Sequence, residues 1–268
     1  VTTAELREAR RSLRRDRLRG VGALAEREVL RVLRLWNQTI APPVVAAVLF
    51  IVVFGVALGN SIRTIDGVPY EQFIVPGLVL MGVATSAFMN NATSIYQARN
   101  DGFIEDPASS PMGPSQLLVG YLAGGVVRSL LIGGVTLAAA RVFVDYAIEQ
   151  PAVLAVTLVA TSLAFAALGT VVGLHSTGWE QQNVVGNLVI QPLVFLGGVF
   201  YSLDALSQPW HALTHADPIL YMVTAARHGM LGSADVGLGL ALGVTLALAA
   251  AMVGWAWWTF VRGVGIRT

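Results

Sequence analysis

Residues 152–174 read AVLAVTLVATSLAFAALGTVVGL, an unbroken apolar run without one ionisable side chain. A bilayer core about 30 Å thick needs about 20 apolar residues of helix, so this run alone places the chain in a membrane. Five more runs share its length and character, at 41–60, 73–96, 117–140, 184–203 and 236–260, and Arg128 carries the sole charge within any of the six. None shows the dyad alternation of a barrel strand, so they read as helices. With 55% hydrophobic and 12% charged residues, the chain has too little polar surface for a conventional soluble domain. The expected fold is an all-α integral membrane protein with six transmembrane helices.

The basic residues orient it. The 17 Lys and Arg residues are all arginines, and ten of them precede residue 41. Six spans put both termini on one side, joining that basic segment to Arg99, Arg262 and Arg267. The other side takes Arg63, Arg141 and Arg227 together with Asp66, Glu71, Asp145, Glu149, Asp204, Asp217 and Asp235. Basic loops stay cytoplasmic, so N- and C-termini are expected in the cytosol. Arginine-only usage with abundant Ala, Gly and Val fits a GC-rich bacterial genome and hence a bacterial inner membrane. The run from 41 follows a long basic preface without a small-residue cleavage site, so it reads as a retained span. The absence of cysteine excludes disulfides and thiolate metal sites. The absence of lysine excludes a Walker A loop and Schiff-base chemistry, so any energy source lies on another chain.

Three segments stand outside the spans. Residues 1–21 form a basic arm, which fits either a solubilising, lipid-attracted extension or a docking element. Over 22–40, Arg27, Arg31, Arg34 and Gln38 share one helical face, while Ala25, Val29, Val32 and Trp36 share another, with Leu30 and Leu33 beside it. That pattern predicts an amphipathic interfacial helix turning into the membrane at Pro42 and Pro43. Segment 97–116, QARNDGFIEDPASSPMGPSQ, predicts a short helix over 97–106 broken by Pro107; it is an ordinary turn or a docking knob with Phe103 as anchor in a charged rim. Segment 204–235 is semi-apolar and broken by prolines, as short re-entrant helices tucked into the outer leaflet would be.

Within residues 41–268, taken as the transmembrane domain, two polar stripes recur. Ser86, Asn90 and Ser94 repeat every four residues on the second span, and Asn183, Asn187 and Gln191 do so on the fifth. Amides facing lipid are costly, so each stripe faces protein or water; interhelical hydrogen bonding and a pathway lining both satisfy this. Phe195, Phe200 and Tyr201 continue the fifth helix outward as a gate or as belt aromatics. Arg128 fits a substrate-binding charge, or, more commonly, a guanidinium turned toward the inner surface or bonded to carbonyls, in which case the third span starts later. His211 and His215 have metal-pair spacing without a third ligand. Gly124, Gly125, Gly133 and Gly134 permit close helix packing.

The run GGVFYSLDALSQPWHALTHADPILYMVTAARHGML (197–231) resembles the signature of the type-2 ABC exporter permeases: a Gly-aromatic turn, a Pro-Trp, an acidic residue before Pro, a Tyr three residues on and a later Ala-Arg. RNDGFIEDPASSPMGPSQLLVGYL (99–122) is similar to that family's coupling segment, with its Gly-Phe pair and later Ser-Pro. The resemblance implies a half-transporter that pairs with a second permease copy or paralogue and docks a separate ABC ATPase. The docking would run through the interfacial helix and the coupling segment, with Arg99, Asp101, Gly102, Phe103, Glu105 and Asp106 as coupling residues. It implies ATP and Mg on that subunit and no cofactor on this chain. It also places the second and fifth helices at the dimer centre, which would make the two stripes the pathway and the three aromatics its outer gate. Ser202 stands where the family often has proline, and Glu105, Asp106 and Pro107 make the coupling segment unusually acidic.

The cargo implied is a hydrophobic or amphipathic small molecule such as a drug, polyketide or lipid, with a lipid-linked polysaccharide as the alternative. An ion-coupled secondary transporter calls for a mid-membrane acid and internal repeats, and a membrane enzyme for converging acid, base or metal groups; neither pattern is seen. Nothing points to nucleic acid.

Overall fold

In the computed structural model, the backbone is described over residues 3–57, 64, 65, 67–101, 113–232, 234 and 236–263, and the side chains over the same residues from Arg19 onward apart from 56, 57 and 204. Helix α1 (Thr3–Arg34) runs unbroken across residue 21, so arm and interfacial segment differ in composition and not in backbone. Leu35 interrupts it, and the single turn α2 (Trp36–Thr39) leads into α3 (Ala41–Phe50). Pro42 and Pro43 open α3, where missing N–H groups cost nothing. A π-helical stretch, Ile51–Ala57, continues it.

A minimal hairpin of β1 (Thr64–Ile65) and β2 (Val68–Pro69), turning at the positive-φ Gly67, precedes α4 (Tyr70–Asn100). Then come α5 (Pro114–Phe143) and α6 (Pro151–His175), each with proline in its first turn. The next helical run comprises α7 (Trp179–Val184), a π-helical stretch (Val185–Ile190) and α8 (Gln191–Leu196). A 3-10 turn, Leu203–Ala205, leads to α9 (Trp210–Ala216) and α10 (Pro218–Leu231). The last helix is α11 (Leu238–Arg262).

The protein is thus an all-α membrane bundle. Among the described residues, 5 helical stretches are long and apolar enough to cross a bilayer: Trp36–Gly55, Tyr70–Asn100, Pro114–Phe143, Pro151–His175 and Leu238–Arg262. The remaining expected span, 184–203, falls on the interrupted run from Trp179 to Leu196, which Gly197 and the positive-φ Gly198 terminate early. Among the described residues, segment 204–235 forms the short helices α9 and α10. Asp217 caps α10 by accepting from Ile219 N at 2.9 Å, and Gly232 ends it in the left-handed conformation.

Helix α4 occupies the centre, packed on α6, α5 and α10, and most of its length is buried. Bundles in lipid gain little from moving apolar surface between tails and protein, so association depends on close backbone approach at small residues. Gly169 of α6 sits over the carbonyl of Phe88, and one turn on, a Cβ at Gly173 would lie 2.6 Å from Ala92 O. Gly133 makes the same accommodation for Val83 between α5 and α4. Gly134 has open space around it, so only one member of that pair is a packing glycine.

Candidate coupling and transport sites

The N-terminal helix, the end of α4, the start of α5 and the end of α6 meet at one end of the bundle, called here the basic end. Helix α1 lays Leu24, Glu28 and Val32 against α5, all buried. Gly120 makes room for Leu24, and a Cβ at Gly124 would stand 2.7 Å from that of Glu28. The buried face therefore differs from the apolar face expected: of Ala25, Val29, Val32 and Trp36, only Val32 is buried, and Trp36 is 61% exposed. The reason lies in α5, whose glycine pair selects the α1 face that approaches it.

Glu28 anchors a polar network. Its carboxylate pairs with Arg27 at 3.0 Å and Arg31 at 2.9 Å and accepts from Ser94 Oγ at 2.6 Å. Arg31 reaches Asn90 Oδ1 at 3.4 Å, Asn90 donates to Asn91 Oδ1 at 3.2 Å, and Asn91 donates to Thr170 Oγ1 at 3.0 Å. Three helices, α1, α4 and α6, are joined by side chains alone. Ser86, Asn90 and Ser94 are all buried within the chain, and Asn90 and Ser94 bond to Arg31 and Glu28 of α1.

The other stripe is placed differently. Asn183 and Asn187 are exposed and Gln191 is half-buried, on a surface otherwise made of Val184, Leu188, Val189 and Phe195. The two stripes do not meet within one chain.

Arg99 turns inward. Its guanidinium donates to the carbonyls of Leu174 and Ser176, closing the C-terminal end of α6, and Tyr96 beside it meets Trp179 edge-on at 5.1 Å. The end of α4 is thereby tied to the ends of α6 and α7. Asp101 is exposed. Gly102, Phe103, Glu105 and Asp106 lie outside the described residues. Arg128 donates to Thr39 O at 3.0 Å, the last carbonyl of α2, so its guanidinium bends toward the basic end and fixes the corner where α1 gives way to the first span.

At the far end, Phe200 is the hub of an aromatic cluster: Phe195 stacks on it at 5.6 Å, Phe54 lies at 5.0 Å and Phe50 at 5.6 Å. The backbone carbonyl of Phe200 accepts from Tyr70 OH at 3.2 Å, and Tyr201 OH donates to Leu196 O at 2.5 Å. Phe50 and Phe54 were not singled out from the sequence, although their i, i+4 spacing was visible there. Buried Arg227 donates to the Gly198 carbonyl and lies 3.7 Å over the Phe73 ring, which braces the turn after α8.

Burial lifts the Asp217 carboxyl from 3.8 to about 6, against the opposing pull of the Ile219 N–H. A raised acid contributes stability below its unfolded value that is lost as pH rises through the folded one. Asn caps a helix as well as Asp does, so Asp217→Asn removes the titration alone. Thermal unfolding should show the wild type gaining on this variant as pH falls from about 7.5 to about 5; a pH-independent gap between them would contradict the assignment.

The chain is thus a membrane protein: an apolar helical bundle with an arginine-rich helix packed against one end. This chain belongs to the ABC-2 type transporter family, whose profile matches residues 19–231. It is 36% identical over 242 residues to the inner membrane transport permease YadH of Escherichia coli (strain K12), covering 90% of this chain and 94% of that one. It is 28% identical over 192 residues to nodulation protein J of Rhizobium meliloti (strain 1021), covering 70% and 72%. The nodulation protein J of Rhizobium leguminosarum bv. viciae is 25% identical over 199 residues, covering 74% and 76%. In this family the permease works with an ATP-binding subunit, and the ATPase activity lies in that separate chain.

Proposed function

We propose that the protein is the membrane half of an ATP-driven exporter, pairing with a second permease and moving a hydrophobic or amphipathic molecule out of the cytosol or inner leaflet. The observation that carries this reading is the amide stripe Asn183, Asn187 and Gln191, of which the first two are exposed and the third half-buried on a surface otherwise made of Val184, Leu188, Val189 and Phe195. Amides in lipid are costly, so the stripe faces a partner copy and the route between them. Phe195, Phe200 and Tyr201 close that route at its outer end, and both termini lie in the cytosol. Segment 97–116 docks the ATPase, which brings ATP and Mg; its motion reaches α6 and α7 through Arg99 and the Tyr96–Trp179 contact. Closure of two ATPase subunits would then shift the fifth helix against its copy.

Phe103→Asp tests the docking. It should abolish ATPase co-purification and ATP-dependent uptake of a fluorescent amphiphilic dye into inside-out vesicles, with the inserted permease at wild-type level. Stoichiometric ATPase with full transport would refute the assignment. Asn187→Leu should leave ATPase docking intact and lower dye uptake at least tenfold; unchanged uptake would remove the stripe from the pathway.

A further inference from the structure

Between α1, α4 and α5 lies a cavity of about 130 Å³ lined by Arg31, Thr39, Asn90, Thr93, Gln97 and Arg128. Its chemistry is one-sided. Two guanidiniums, those of Arg31 and Arg128, line it without a carboxylate, and Arg31 is paired with Glu28 outside it. Among the described residues no carboxylate pairs with Arg128, and its Nε is buried without an acceptor. A cation held among apolar helices without a counter-ion is costly and marks a functional site.

Position and shape narrow the missing anion. The cavity is lined by Thr39, near the start of the first span, and by Gln97, near the end of α4, so it lies toward the basic end, where lipid headgroups would stand. Its volume has room for several waters and so for a phosphodiester. Its mouth is apolar: Leu35 lines the cavity and is itself 43% exposed, and Trp36 beside it is 61% exposed. The first span that starts there exposes Val45 and Leu49. Tails have an apolar surface to lie along while the headgroup turns inward.

We infer that this cavity is a binding site for the phosphate of an anionic phospholipid, held by Arg128 and Arg31 with Gln97 and Thr93 as further polar contacts. Arginine suits the role because its planar fork matches phosphate oxygens in pairs, and basic pockets between membrane helices take anionic headgroups. The bound lipid would supply the counter-charge that α5 lacks and join α1 to the bundle at the corner Arg128 already caps. The inference depends on neither the cargo nor the ATPase.

The test is native mass spectrometry of the permease from mixed phosphatidylglycerol and phosphatidylcholine micelles, after a high-salt wash to strip lipid held loosely by the basic arm. Wild type should retain one phosphatidylglycerol per chain and no phosphatidylcholine. Arg128→Gln should reduce retention at least tenfold and Gln97→Leu severalfold, while Arg19→Gln, on the exposed arm, should leave it unchanged. Gln97 is exposed and makes no buried bond, so it serves if Arg128→Gln does not fold. Equal retention of both lipids, or unchanged retention in both cavity variants, would overturn the site. Displacement of the lipid by millimolar inorganic phosphate would overturn its assignment to a lipid and leave a free anion as the occupant.

Discussion

Gly169→Leu should abolish accumulation of the folded permease. Even the first atom of the new side chain would collide with the Phe88 carbonyl oxygen and the backbone nitrogen of Ala92, and backbone cannot rotate away as a side-chain tip can. To admit the rest, α6 must separate from α4, the central contact of the bundle. Overpacking commonly costs about 1–3 kcal/mol, and a backbone clash at a helix crossing belongs at or above the top of that range. A protein whose total stability is about 5–15 kcal/mol does not absorb such a loss without losing yield. The measurement is the amount of monodisperse protein extracted from membranes and its thermal midpoint. Gly134→Ala provides the contrast: nothing lies within 4 Å of the added methyl, so it should change stability by about 0.5 kcal/mol or less. Equal behaviour of the two variants would mean that the α4–α6 crossing is not as close as described.

Glu28→Ala should release α1 from the bundle. The substitution removes the acceptor of Ser94 and the shared partner of Arg27 and Arg31, and it leaves a gap over Gly124. Breaking a fully buried ion pair costs about 3–5 kcal/mol. Here the Arg27 and Arg31 side chains remain 47% and 29% exposed, so water takes up part of their charge. A loss of about 2–3 kcal/mol follows. Limited trypsin digestion reads this locally, because cleavage after Arg27 and Arg31 should accelerate in Glu28→Ala while sites in the remaining bundle keep their protection. Glu28→Gln keeps the volume and one acceptor and should fall between the two. If Glu28→Ala resists trypsin like the wild type, the helix is held by Leu24 and Val32 alone.

Much of the architecture was legible because hydropathy is a local property. Runs of apolar residues cannot be anything but buried or in lipid, and their lengths located α4, α5, α6 and α11 to within a few residues. The fifth run was less legible: Pro192, which lacks an N–H and crowds the Leu188 carbonyl, marks a break there, but not its π-helical form or the early end at Gly197. Faces were less legible still. A stripe such as Ser86, Asn90 and Ser94 looks the same on paper whether it meets a neighbouring helix or a partner chain, and only the presence of Glu28 and Thr170 opposite it makes it internal. Arg99 shows the same limit: a basic residue at a helix end is expected to meet water, and here the open carbonyls of α6 lie closer. Glu28, an acid in an arginine-rich helix, carries no mark in the sequence that sets it apart from the solvated charges around it, yet it is buried.

The sequence by itself determined that this chain lives in a membrane, that its basic residues gather before the first span, and that it carries no nucleotide loop. These follow from composition and order, which do not depend on what packs against what. The tertiary structure alone decided that Ser86, Asn90 and Ser94 are buried while Asn183 and Asn187 are exposed, that Glu28 joins Arg27, Arg31 and Ser94, and that Arg128 has a carbonyl and a cavity for company but no described acid. Those outcomes depend on helix approach, and helix approach is set by pairs such as Gly124 with Glu28 and Gly169 with Phe88. Such partners are separated by tens of residues in the chain and become neighbours only when the bundle closes.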